Sequence, residues 1–184
     1  FYSQLQTEHT GHKNRLSAAK DETVKATTEA IIAFLGEKLK ETKQAIEALT
    51  KHDKNAKRLQ TIPSIGKLTA AVLLYFLTNY DFKNANKLTA FAGLSPQKKQ
   101  SGTSVNGKDK LTKYGNRKLR AALFMPAMVA YRDNVFPDFI RRLTKKGKPK
   151  KVIIAAIMRK LLVIAYHLHK TQTDYDKNRY ARIA

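Results

Sequence analysis

Leu88–Leu123 reads LTAFAGLSPQKKQSGTSVNGKDKLTKYGNRKLRAAL, and its three parts set the organisation of the chain. Leu88, Phe91 and Leu94 recur at helical spacing and form an apolar face that Ser95-Pro96 ends. Gln97–Gly107 then holds two glycines, two serines and a single large apolar residue, Val105, which reads as an exposed loop with room for a small hairpin within Gln97–Leu111. From Lys108 to Arg120 six basic residues stand against one acid, Asp109. A helix is expected to open at Asn116, whose side chain can cap the first amides. That places Arg117 and Arg120 on one face of the first turns, where the helix dipole already favours anions.

Downstream, Arg117–Arg132 continues as a helix with Leu119, Leu123, Ala127 and Ala130 on one face and Pro126 as an expected kink. Phe136-Pro137-Asp138 opens a short helix. Arg141–Lys151 (RRLTKKGKPKK) carries seven basic residues and no acid. It reads as a solvated segment suited to phosphate contact through Arg141, Arg142, Lys145, Lys146 and Lys148. Val152–Leu168 is strongly apolar but broken by Arg159-Lys160, so it predicts a buried core helix and not a bilayer span. His167 and His169, two apart, diverge by about 200° on a helix and cannot share a metal there. The polar tail 171–184 is expected to be loose.

Upstream, Thr61–Thr78 (TIPSIGKLTAAVLLYFLT) has the pattern of a helix-hairpin-helix. Pro63 and Gly66 would shape the turn and Ile62 and Ile65 anchor it. The amides from Ser64 to Lys67 would then face a phosphate. An ordinary helix-helix turn has the same five residue types, and the surrounding charge favours the nucleic-acid reading. In Phe1–Asn55, Ile32, Leu35, Leu39, Ile46 and Leu49 make a heptad seam with Thr42 in the missing place, which predicts one long helix. Gly36 inside it costs about 1 kcal/mol against alanine. The seam either leans on its own domain or pairs between subunits as a coiled coil.

With 184 residues, 42% of them apolar, the chain can bury a real core. A net charge of +22 points to a polyanionic partner. Nineteen basic residues against three acids between Gln97 and Lys170 localise that charge, which nucleic acid explains better than a membrane surface does. There is no cysteine, so disulfide scaffolds, cysteine-ligated zinc and thiol catalysis are excluded. The chain starts without methionine and reads as a piece of a longer protein.

TIPSIGKLTAAVLL, LTAFAGLSPQKKQSGTS, LTKYGNRKLRAAL and GKPKKVIIAAIMRKLLVIAYHL, in that order, closely resemble the C-terminal half of insertion sequence 110 family transposases, a pattern shared by pilin-gene invertases. The resemblance covers Leu59–His169, and LQTEHTGHKNRL is similar to the helix after that family's first domain. It implies a serine nucleophile carried over to Ser101, with Ser104 as the alternative; charge growing on the attacked phosphate needs cations, and Arg117 and Arg120 are the catalytic candidates for that. Lys98, Lys99, Lys108, Lys110 and Lys113 would add phosphate contacts beside Pro63, Ser64, Gly66 and Lys67. The family's RNase H-like domain, with four acidic metal ligands, has no counterpart here, so no cofactor or metal is expected on this chain and Mg²⁺ is expected in the missing domain. Implied partners are DNA, as transposon ends and target, a guide RNA in some members, and further copies of the chain. The implied place is the bacterial cytoplasm, at the nucleoid.

The sequence therefore predicts an all-α fold: a helical arm over 1–55, a helix-hairpin-helix-containing transposase domain over 56–170, and the tail. The expected function is the DNA-binding, serine-bearing part of a site-specific transposase or recombinase, inactive alone. The rival is a non-catalytic helix-hairpin-helix nucleic-acid-binding module. A basic structural protein of a ribonucleoprotein particle is a third, weaker reading.

Overall fold

The computed structural model describes the backbone of residues 1–101, 105–112 and 114–180, and the side chains of 1–97, 111–112 and 114–178. The chain divides into two compact units, Phe1–Lys51 and His52–Ala184.

The first unit holds two helices packed on each other, α1 (Tyr2–Ala18) and α2 (Glu22–Thr50); the seam lies wholly within α2, the long helix it predicts, and a break at 19–21 sets α1 apart. The break has a local cause. Ala19 leaves the helix in an extended conformation, and the Asp21 carboxylate accepts the amides of Thr23 (2.8 Å) and Val24 (3.1 Å), capping α2. Those bonds hold the Asp21 carboxyl below its usual range. Gly36 faces α1, where an added Cβ would stand 3.9 Å from His9 Nε2. Ile32, Leu35, Leu39, Thr42 and Ile46 are only half-buried. Leu49 is 84% exposed, and Val24, Ile31 and Phe34 are also exposed.

The second unit is built on α8 (Lys150–Thr171). Around it lie α3 (Lys54–Gln60), α4 (Lys67–Asn79), α5 (Ala85–Phe91), α6 (Arg117–Arg132) and α7 (Pro137–Lys145), each of which packs on it. Ile153, Ile157, Leu161, Leu162, Ile164 and Leu168 of α8 are buried against Leu119, Leu123, Ala127 and Ala130 of α6, the alanines letting the two helices approach closely. By length and composition α8 could cross a bilayer, but its apolar side chains are the core of this unit. Each large one contributes about 1.5–3 kcal/mol by leaving water. Between α5 and α6 the chain forms one antiparallel hairpin, β1 (Pro96–Ser101) with β2 (Val105–Leu111), Pro96 facing Leu111 and Ser101 facing Val105. Apart from that hairpin the described residues form helices, so the fold is all-α.

Just after α8, Gln172 and Tyr175 dock back on α3 and the residue that ends it. Gln172 takes a left-handed conformation and its side-chain oxygen accepts from Arg58 of α3. Tyr175 packs against the core and its amide donates to Thr61 Oγ1 at 2.9 Å, and a last short helix, α9 (Lys177–Tyr180), follows.

Candidate nucleic-acid interface

The α3–α4 turn is held from inside. Ile62 and Ile65 are buried and bond in sequence, Ile62 N to Leu59 O (3.3 Å) and Ile65 N to Ile62 O (3.1 Å). The residue that takes the left-handed backbone is Ser64 (φ 71°), not Gly66, which is extended (φ −88°). Pro63 and Ser64 are half-buried, whereas Gly66 and Lys67 are exposed. No side chain caps α4, and nothing lies within 4 Å of where a Gly66 Cβ would be, so the turn presents its first amides beside open space. Such a helix start attracts a phosphate oxygen.

The second part of the surface is the base of the β-hairpin. Gly93 (φ 68°) ends α5 with the bonds Gly93 N to Ala90 O and Leu94 N to Thr89 O, both 2.9 Å, a C-terminal cap that glycine suits. Thr112 N then donates to Ser95 O (3.1 Å), closing the hairpin base. Gly115 (φ 145°) crosses so close to α5 that an added Cβ would meet Phe91 O at 2.3 Å and Gly93 N at 2.8 Å. Asn116 N donates to Phe91 O (2.6 Å), and Asn116 Oδ1 accepts from Leu119 N (2.9 Å), capping α6 where the sequence predicts. The N-terminus of α6 is thereby fixed beside the hairpin.

Arg117 is exposed on that first turn. Arg120 is half-buried, and its Nη1 donates to Ala92 O at 3.0 Å, so it ties α6 to the end of α5. The two arginines, three apart, thus meet different surroundings. The side chains of Ser101, Lys98, Lys99, Lys108 and Lys110 lie outside the described residues, as do Ser104 and Lys113 altogether.

Sequence reasoning missed the aromatic neighbours. Tyr75 and Tyr80 of the α4 end, both exposed, line a hollow of about 420 Å³ with Phe76, Asn116, Arg117 and Lys118. Tyr114, 81% exposed, precedes it in the chain. Aromatic rings beside cations are what stacking on a base requires.

The Arg141–Lys151 segment is only partly a loop. Arg141–Lys145 complete α7, Gly147 (φ 65°) caps it through bonds from Gly147 N to Thr144 O and Lys148 N to Leu143 O, and α8 starts at Lys150. Arg141, Lys145, Lys146 and Lys148 are exposed, Arg141 paired with Asp138 at 2.6 Å. Arg142 is exposed as well, and its guanidinium lies 5.5 Å from the Phe139 ring centroid. Lys160, which reads in the sequence as an interruption of an apolar run, is buried, and burial together with the Arg142 charge pulls its ammonium down to about 8. Among the described residues no three carboxylate or imidazole side chains cluster closely enough to hold a metal ion.

Residues 56–142, from within α3 to within α7, match the family model described as Transposase IS116/IS110/IS902 family. The pilin gene-inverting proteins of Moraxella lacunata and Moraxella bovis are each 40% identical to the chain over 137 residues, 73% of this chain and 42% of theirs. An insertion element IS110 protein of Streptomyces coelicolor is 30% identical over 120 residues, 64% of this chain and 29% of its own. The chain thus spans less than half the length of the curated relatives it matches. By the matched segment and by these relatives, the chain belongs to the IS116/IS110/IS902 family of transposases.

Proposed function

We propose that this chain is the C-terminal, DNA-binding and serine-bearing part of a site-specific DNA transposase or recombinase. The observation that carries the reading is the family match over 56–142, which takes in the α3–α4 turn, the hairpin and the start of α6. As a helix-hairpin-helix, the turn at Pro63–Lys67 holds duplex phosphates through its amides. Arg141, Lys145, Lys146 and Lys148 hold others, as do the hairpin lysines Lys98, Lys99, Lys108, Lys110 and Lys113. These contacts grip the backbone without reading bases.

Ser101 is the nucleophile, with Ser104 as the alternative. Its hydroxyl oxygen attacks phosphorus, an Oγ–P ester forms, one strand's P–O ester breaks, and that strand oxygen leaves with a proton while the serine proton passes to a base. Attack by a hydroxyl of the other DNA reverses the step and restores the serine, so bond energy is conserved. Arg117, exposed beside the hairpin, faces the charge that grows on the phosphate oxygens. Arg120 keeps that helix in place through Ala92. The base and the Mg²⁺ ions belong to an acidic domain outside this chain, in which case the chain alone is inert. The arm associates with other copies through its half-exposed seam, and a guide RNA is a partner in the same assembly, in the bacterial cytoplasm.

A non-catalytic nucleic-acid-binding module is the rival. The test is Ser101→Ala in the full-length protein: strand exchange is lost while duplex affinity is kept, because a neutral hydroxyl adds little to ionic binding. Ser104→Ala keeps strand exchange. If both variants keep it, the module reading takes over.

A further inference from the structure

α5, α7 and α8 enclose a cleft of about 600 Å³ whose wall carries Arg142, Arg159, Lys160 and His167 and whose floor includes Phe139 and Val163. Among the described residues no carboxylate lines it. Lys160 is 3% exposed, with its Nζ 5.3 Å from the Phe136 ring centroid and 5.0 Å from that of Phe139. Asn84 Oδ1 accepts from Lys87 N and Asn86 Oδ1 from Arg159 Nη2, which turns both oxygens toward protein donors, and each side chain keeps its N–H groups for an acceptor. The walls therefore suit a ligand rich in acceptors and negative charge.

Size narrows the class. A lone phosphate would leave most of 600 Å³ empty, and a duplex does not enter, whereas a phosphate with its sugar and base fits both the cationic wall and the apolar floor. We propose that this cleft is a second nucleic-acid site, which holds one unpaired nucleotide of single-stranded DNA. The phosphodiester lies on Arg142, Arg159 and Lys160 and the base lies against the apolar floor. The assignment rests on the proposed function in one respect: exchange at a phosphodiester is what supplies unpaired DNA.

The test is fluorescence anisotropy on the whole chain with labelled oligothymidylate and with a duplex of equal length, for Arg159→Gln and Lys160→Met. Each variant should weaken oligothymidylate binding by about tenfold, leave duplex binding unchanged, and keep the helical circular dichroism. Arg159→Gln, half-buried at the wall, guards against a packing defect in the other variant. Unchanged oligothymidylate binding overturns the proposal, and so do equal losses on duplex and single strand. Tighter oligouridylate binding that falls in the same variants makes the strand RNA and overturns the DNA assignment. Polyglutamate competing as well as oligothymidylate makes the cleft an acidic-peptide groove and overturns it too. A wild type that binds the single strand, with the loss in both variants, but not the duplex supports the cleft and removes the duplex-binding part of the proposed function.

Discussion

Gly115→Ala is the perturbation that most directly tests how the α6 start is held. At φ 145° an L side chain is strained whatever the space, which costs about 1–3 kcal/mol. The new Cβ would lie 2.3 Å from Phe91 O, so the backbone must move away from α5. The Asn116 N–Phe91 O bond, at 2.6 Å, then stretches or breaks, for about 1 kcal/mol more. The sum is a loss of about 2–4 kcal/mol, at the high end for one substitution. Urea denaturation of the whole chain followed by far-ultraviolet circular dichroism measures it. Gly66→Ala is the control: its φ is ordinary and its Cβ would meet nothing within 4 Å, leaving only a weaker cap, about 1 kcal/mol or less. A Gly115→Ala protein within about 0.5 kcal/mol of wild type, or equal losses at the two glycines, would refute the reasoning.

Lys160→Met should stabilise the chain at pH 7 by about 1–3 kcal/mol, since the ammonium is pulled from 10.5 to about 8 and the cation–π contacts offset part of that cost. The unfolded chain binds this proton more tightly, so wild-type stability rises between pH 8 and 10.5 and the gap between the two proteins closes there; a gap that widens with pH contradicts the assignment. Leu35→Lys with Leu39→Lys should convert an oligomer into a folded monomer by light scattering, given a seam only half-buried within the arm. A monomeric wild type rejects that role.

Where local chemistry decides, the sequence is readable. Asn116 caps α6 because an asparagine before a basic amphipathic run has few better places to put its oxygen, and the 119, 123, 127, 130 face is buried because its spacing fits one side of a helix. The break after Ala18 also had a local signal, Asp21 ahead of Glu22, but the heptad seam begins only at Ile32 and says nothing of what precedes it. What sequence reasoning missed depends on distant partners. That Arg120 also ties α6 to the end of α5, through Ala92 O at 3.0 Å, depends on α5 being folded against it. Gly115 looks like loop punctuation until Phe91 arrives. Lys160 reads only as an interruption of an apolar run, and it is the fold that brings the Phe136 and Phe139 rings to its ammonium. Tyr175 sits in a polar tail whose docking needs Thr61.

A serine of the Pro96–Leu111 hairpin is proposed to carry the DNA during exchange. This is tested by trapping the covalent protein–DNA species of the full-length enzyme, digesting it, and locating the nucleotide adduct by mass spectrometry. The account predicts a phosphodiester adduct on Ser101; an adduct on Ser104 moves the nucleophile by three residues, and an adduct on any residue outside this hairpin contradicts the account.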